Sequence, residues 1–163
     1  MANSEKPVLV NSTIAGIKMY PAKGEAGKEL AEARLIENLG LEGDFHAKGG
    51  ERQISLLFME DRERLEDQPE QGSEGAGLCF LRFKENITIR RGAAAEYGTS
   101  FEKGTRLEAG EALLEITGET KHCHEECVLF HAGKPCLLAG KSLFAKVLES
   151  GAIRVGDRIS VCL

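Results

Sequence analysis

A mainly β fold, a barrel or sandwich with a few short helices, is what this 163-residue sequence predicts, on three observations. Apolar residues come in many short runs rich in β-branched side chains, each the length of a strand. Nineteen glycines punctuate those runs, which suits a chain that reverses direction often. Helical spacing is confined to brief stretches, so neither a bundle nor a doubly wound parallel sheet is expected.

The length is that of one domain, residues 1–163 with a core over roughly 8–161, and it is enough to bury that core without disulfides or metal. Hydrophobic residues at 42% and charged residues at 29% place the chain with globular proteins rather than disordered ones. No apolar run approaches the ~20 residues that cross a bilayer, and Met1-Ala-Asn-Ser-Glu-Lys-Pro7 has neither the basic nor the apolar block of a signal peptide. A cytoplasmic location away from the membrane is therefore expected. Asp and Glu (26) outnumber Lys and Arg (21), which argues against nucleic acid as a partner but leaves room for a local basic pocket. Five cysteines, an odd number, read in a reducing cytosol as thiols or ligands rather than as a disulfide framework.

Taken in order, Val8 to Tyr20 mixes β-branched and small residues and predicts a strand. Pro21 to Gly27 is turn material, and Lys28 to Asn38 reads as a second strand running into a glycine-rich turn. That turn is Gly40-Leu-Glu-Gly-Asp-Phe-His-Ala-Lys-Gly-Gly50, with Asp44, His46, Arg52 and Gln53 as polar groups at its edges. It carries neither a Walker nor a Rossmann fingerprint, yet a loop with an arginine and accessible backbone amides suits an anionic ligand. Ile54 to Phe58 is a short apolar strand. Met59 to Gln68 is a charged helix with its acidic residues early, where the helix dipole favours them.

Pro69 to Gly77 predicts a loop, Cys79 a buried core thiol, and Glu85 to Arg90 a strand. The Asn86-Ile-Thr88 sequon has no meaning in a cytosolic protein. Gly104 to Gly110 and Glu111 to Thr117 are two further strands. Ser142 to Leu148 is apolar and of either type, Gly151 to Asp157 a turn, and Arg158 to Val161 a closing strand, with Cys162 incidental after it.

The chemistry concentrates in Lys121-His-Cys-His-Glu-Glu-Cys127 and on through His131 to Cys136. Three of the five cysteines and three of the four histidines fall there. Read from the residues alone, Cys123, Cys127 and Cys136 with His124 or His131 suffice for a tetrahedral zinc site, although the spacing is not a paired Cys-x2-Cys framework. A Cys123–Cys127 disulfide switch is a second reading, and core packing of Cys127 and Cys136 a third.

Several segments, in this order along the chain, resemble the MOSC domain, the C-terminal module of molybdenum cofactor sulfurases that also occurs alone in bacteria. They are Gly40-Leu-Glu-Gly-Asp-Phe-His46, Arg52-Gln-Ile-Ser-Leu-Leu57, Glu85-Asn-Ile-Thr88, Gly104-Thr-Arg-Leu107 and Glu115-Ile-Thr117, then the cysteine segment, Phe144-Ala-Lys-Val147 and Gly156-Asp157. The likeness spans Val8 to Val161.

The resemblance implies a MOSC-type β-barrel and a sulfur carrier of molybdenum-cofactor metabolism, acting as a sulfurtransferase if it is an enzyme. In that family a cysteine after the Glu-Ile-Thr strand is held to carry sulfur as a persulfide, and its counterpart is Cys123. Lys121, His122 and His124 beside it would favour the thiolate. Asp44, His46, Arg52, Gln53 and His124 are the residues that would hold the phosphate or pterin of molybdopterin. The implied partners are a cysteine desulfurase or other sulfur donor, and the cofactor's biosynthetic or acceptor proteins. The alternatives are a molybdopterin-binding module without sulfur transfer, and a zinc domain built on Cys123, Cys127, His131 and Cys136.

Overall fold

The computed structural model describes residues 12–66, 84–92, 102–118 and 142–162. Eleven strands and one helix lie within them: β1 (Ser12–Met19), β2 (Lys28–Leu30), β3 (Glu32–Ile36), β4 (Gly40–Leu41), β5 (Ile54–Phe58), α1 (Met59–Glu66), β6 (Ile87–Arg90), β7 (Arg106–Ala109), β8 (Ala112–Ile116), β9 (Leu143–Glu149), β10 (Gly151–Arg154) and β11 (Arg158–Val161).

Seven strands close a barrel. Neighbours run β11-β7-β8-β9-β5-β6-β1, and β1 returns to β11 through Ser12 opposite Ile159 and Thr13 opposite Arg158. Closure leaves no free edge among these seven. The β5–β6 pair is parallel and the other pairs are antiparallel, so β5 and β6 need a crossover, and α1 starts directly after β5. A second sheet, β10-β3-β4, packs on the barrel through Leu35, Leu41 and Ile153.

The mainly β expectation holds, and its physical basis is visible in burial. Strand β5, Ile-Ser-Leu-Leu-Phe, is buried at every position, four of them apolar and the fifth, Ser55, buried with its hydroxyl donating to the Lys84 carbonyl at 2.7 Å. Strands β7, β8 and β9 alternate between buried and more exposed positions, placing Leu107, Leu114, Ile116 and Val147 inside. Along β1 the register with β6 slips between Ile14 and Gly16, leaving Ala15 as an extra residue. That bulge divides the strand: Ser12 and Thr13 pair with β11, and Ile17 to Met19 pair with β2.

Three boundaries differ from the sequence reading. The run Lys28 to Asn38 is two strands, because Leu30 pairs with Ile17 of the barrel while Ala33 and Leu35 pair with β10. Gly40 and Leu41 are a short strand beside Ile36 rather than loop. Residues 151–157 are only partly a turn: Gly151–Arg154 is β10, and the turn is confined to Val155 and Gly156. Gly151 is there because β10 crosses tight against the β7–β8 hairpin. A Cβ at that position would lie 2.4 Å from the Glu111 carbonyl.

The registers sort the loops onto two rims. Ser55 faces Phe144, Leu56 faces both Leu143 and Ile87, and Ile17 faces Ile87. One rim therefore collects Tyr20 after β1, Gln53 before β5, Glu85 and Asn86 before β6, and the end of β9. The opposite rim collects Phe58 and the start of α1, Thr117 just after β8, and Ser142 just before β9.

Candidate functional site

The polar residues of the first rim form one network, and Asp44 is its centre. Its side chain is 1% exposed. Oδ2 accepts the Tyr20 backbone N–H at 2.9 Å and the Asn86 Nδ2 at 2.9 Å. Oδ1 accepts the His46 backbone N–H at 2.8 Å and lies 3.0 Å from His46 Nδ1. Burial works against ionising this carboxyl, but the hydrogen bonds from His46 and Tyr20 outweigh it and hold Asp44 below the usual aspartate range.

His46 stands differently. Its side chain is 41% exposed, and its ring makes edge-on contacts with Tyr20 and with Phe45, at centroid distances of 6.1 and 5.3 Å. A buried carboxylate facing Nδ1 places the ring hydrogen there and leaves Nε2 as the nitrogen available to a ligand. The loop that carries both residues is tied down locally. Phe45 N–H donates to the Tyr20 carbonyl at 2.7 Å and Gly49 N–H to the Leu39 carbonyl at 3.1 Å. Gly49 and Gly50 follow each other with φ of 75° and 77°, a conformation glycine adopts without strain.

Asn86 joins the loop to the barrel. Its Nδ2 donates to Asp44 and to the Lys18 carbonyl at 3.2 Å, its Oδ1 accepts the Ser55 N–H at 3.1 Å, and its own N–H donates to Ser55 Oγ at 2.9 Å. Beside it, the Glu85 side chain, 1% exposed, pairs with Arg62 of α1 and with Lys18 Nζ at 3.3 Å. The Tyr20 hydroxyl donates to the Glu85 carbonyl at 3.2 Å. Burial first, then the Glu85 charge, pushes that phenol well above its ordinary value.

Of the four loop residues singled out in the sequence, Asp44 and His46 are in direct contact. Gln53 and Arg52 lie at the loop's other end. Gln53 is buried: Nε2 donates to the Gly50 carbonyl and Oε1 accepts the Val147 N–H, each at 2.9 Å, which ties the glycine loop to β9. Arg52 is exposed, and its guanidinium lies 5.1 Å from the centroid of Phe144, two residues from Ser142. Cys123, His124, Cys127, His131 and Cys136 fall outside the described residues, as does Cys79. So do the ligands of the zinc reading. Among the described residues, no group of three or more His, Cys, Asp or Glu could hold a metal ion.

Sequence reasoning did not name Asn86, Glu85, Ser55 or Tyr20 as site residues, although Ser55, Glu85 and Asn86 fall in the segments that carry the family resemblance. The usable signal was Glu85-Asn86, two polar residues immediately before a buried apolar strand. Nothing local says that such residues are buried.

No protein-family profile matches the chain, and no curated protein sequence matches it. Solved structures do. YuaD from Bacillus subtilis aligns with a TM-score of 0.64 over 93% of this chain and 96% of its own, at 19% identity. YiiM from Geobacillus stearothermophilus aligns at 0.60 over 93% of this chain and 75% of its own, and YiiM from Escherichia coli at 0.57 over 93% and 70%, both at 18% identity. These are MOSC-fold proteins, and the MOSC-type β-barrel is the fold of this chain. No helix among the described residues is long and apolar enough to cross a membrane.

Proposed function

We propose that the chain is a cytoplasmic MOSC-family protein that takes sulfur onto Cys123 as a persulfide and passes it on in molybdenum-cofactor metabolism. The observation that carries this reading is the barrel shared with YuaD over nearly the full length of both chains. Along it the resemblance segments keep their order, with Glu115-Ile-Thr117 closing β8 and leading into the cysteine segment.

The chemistry needs no outside oxidant. The Cys123 thiolate attacks the outer sulfur of a persulfide on the donor, and the donor's S–S bond breaks to release its cysteine as thiolate. In the second step an acceptor nucleophile takes the outer sulfur and Cys123 leaves as thiolate. Lys121, His122 and His124 are the neighbours in sequence whose charge would favour that thiolate.

The loop residues divide into two roles under this reading. His46 and Arg52 are exposed and would face the phosphate or pterin of molybdopterin, with His124 completing the set. Asp44 and Gln53 would act from beneath, holding the loop in shape through their buried hydrogen bonds. Their donor chemistry fits an anionic ligand, since guanidinium and imidazole both recognise phosphate.

The test compares the wild-type chain with Cys123→Ser, each incubated anaerobically with a cysteine desulfurase, cysteine and a thiol acceptor. Cys123→Ser is expected to fold and to transfer no sulfur above background. Transfer by Cys123→Ser at the wild-type rate sinks the assignment and leaves the pterin-binding or zinc-domain alternatives.

A further inference from the structure

Strand β1 closes the barrel between β11 and β6, and Thr13 stands opposite an arginine on each side, Arg158 of β11 and Arg90 of β6. Residues directly opposite each other in antiparallel strands share a face of the sheet. The adjacent residues Ile14, Ile89 and Ile159 are buried in the core, so Thr13, Arg90 and Arg158 point out of the barrel in one row. Two strand spacings separate the backbones that carry the arginines, about 10 Å. Both arginines are exposed and Thr13 is half-buried. Arg90 and Arg158 lie far apart in sequence, and only closure of the barrel brings them to one row.

Nothing on that row balances its charge. Among the described residues no carboxylate pairs with Arg90 or Arg158, and the Thr13 hydroxyl has no hydrogen-bond partner. The nearest carboxylates are engaged elsewhere. Asp157 Oδ2 accepts the Arg154 N–H at 2.8 Å, and Glu60 pairs with Arg91 at 3.3 Å. Glu108, diagonal to Arg158 across β11 and β7, takes a hydrogen bond from the Cys162 thiol. Of the other strand arginines, Arg106 and Arg154 stand opposite Glu115 and Glu32, with which they pair, and Arg34 stands alone opposite Ala152. The seam is therefore where two uncompensated guanidinium groups face the same way, in a chain of net charge −5.

We propose that this seam is a docking surface for an acidic polypeptide, with Arg90 and Arg158 each taking a carboxylate of the partner and the Thr13 hydroxyl donating between them. Charge complementarity sets the partner's chemistry, because guanidinium takes carboxylate in a bidentate grip and gives up its water readily. Shape sets the partner's size. The outer wall of a closed barrel is convex whereas small-molecule sites are concave, so the row suits a chain or surface that lies across it. Nucleic acid and anionic membranes ask for more charge than two arginines supply: a stripe that neutralises several phosphates in the first case, a cluster of about 4–8 basic residues in the second. The proposal needs only the strand register, so it stands whether or not Cys123 carries sulfur.

The test titrates the full-length chain at low ionic strength with a short polyglutamate peptide, and with polyglutamine of the same length. Backbone amide and arginine Nε–H shifts report where each binds. Saturable shifts are expected at Thr13, Arg90 and Arg158 with polyglutamate, weakening as salt is added, and none with polyglutamine. Affinity should fall roughly fivefold in Arg90→Gln/Arg158→Gln, the loss of two exposed charge contacts, and should be unchanged in Arg34→Gln. All three side chains are exposed, so these substitutions leave the core intact. No saturable shift at the seam overturns the proposal, and so does equal affinity in the double variant or a response spread evenly over Arg34 and the seam. Tighter binding of an oligothymidylate than of polyglutamate at the same residues overturns it in favour of nucleic acid.

Discussion

One oxygen of Asp44 receives both the backbone N–H of His46, at 2.8 Å, and its ring nitrogen Nδ1, at 3.0 Å. The contact that turns the loop is therefore also the one that aims the imidazole. Loop shape and ring orientation cannot vary independently, and the second carboxylate oxygen locks both to the barrel through Tyr20 and Asn86.

Asp44→Asn should destabilise the protein at neutral pH by about 2 kcal/mol, the range for hydrogen bonds made to a charged acceptor. The sign with pH follows from the lowered Asp44 pKa. An aspartate depressed by folding contributes stability that is full above its unfolded value, near 3.8, and is lost as pH falls through the lower folded value. Urea unfolding at a series of pH values should show the gap between wild type and variant constant from pH 7 to 5 and closing below pH 4.

Asn86→Ala removes the amide between Asp44, the Lys18 carbonyl and the Ser55 N–H. A loss on the order of 3 kcal/mol is expected, because buried partners are left unpaired. The same variant should broaden or shift the His46 ring resonances, since Asn86 holds the carboxylate that faces the ring. Unchanged His46 signals would mean that Asp44 holds the imidazole without help.

Gln53→Leu replaces the amide by an apolar side chain of similar volume and leaves the Val147 N–H and the Gly50 carbonyl without their partners. Destabilisation by about 2–4 kcal/mol is expected, with faster hydrogen exchange at the Val147 amide. Slow exchange there in the variant would show that another acceptor takes over.

The fold was legible where signals were local. Ile54 to Phe58 announced a buried strand because four of its five positions are apolar, and Met59 to Glu66 a helix because Glu60 and Asp61 load its first turn. Strand β10 was hidden because Gly151 and Gly156 look alike in sequence. Gly156 is a turn residue with φ of 94°, whereas Gly151 is a strand residue pressed against Glu111. The loop residues Asp44 and His46 were legible as polar groups beside glycines. Asn86 was not, because its partners Ser55 and Asp44 lie 31 and 42 residues away and only the barrel joins them. The cysteine segment was the clearest chemical signal in the sequence, and it lies outside the described residues.

The close crossing at Gly151 supplies a test of the small sheet. Gly151→Ala places a methyl 2.4 Å from the Glu111 carbonyl carbon and oxygen. Separating β10 from the β7–β8 hairpin should destabilise the protein by about 1–3 kcal/mol. Thermal unfolding measures it, and a neutral substitution would show that the two segments separate freely.

Locating the transferred sulfur bears most directly on the sulfur-carrier reading. The wild-type chain is incubated anaerobically with a cysteine desulfurase and cysteine, digested, and its peptides weighed by mass spectrometry. One added, reducible sulfur confined to Cys123 is the expected result. A loaded reaction that leaves Cys123 bare, or spreads sulfur evenly over Cys123, Cys127 and Cys136, contradicts it.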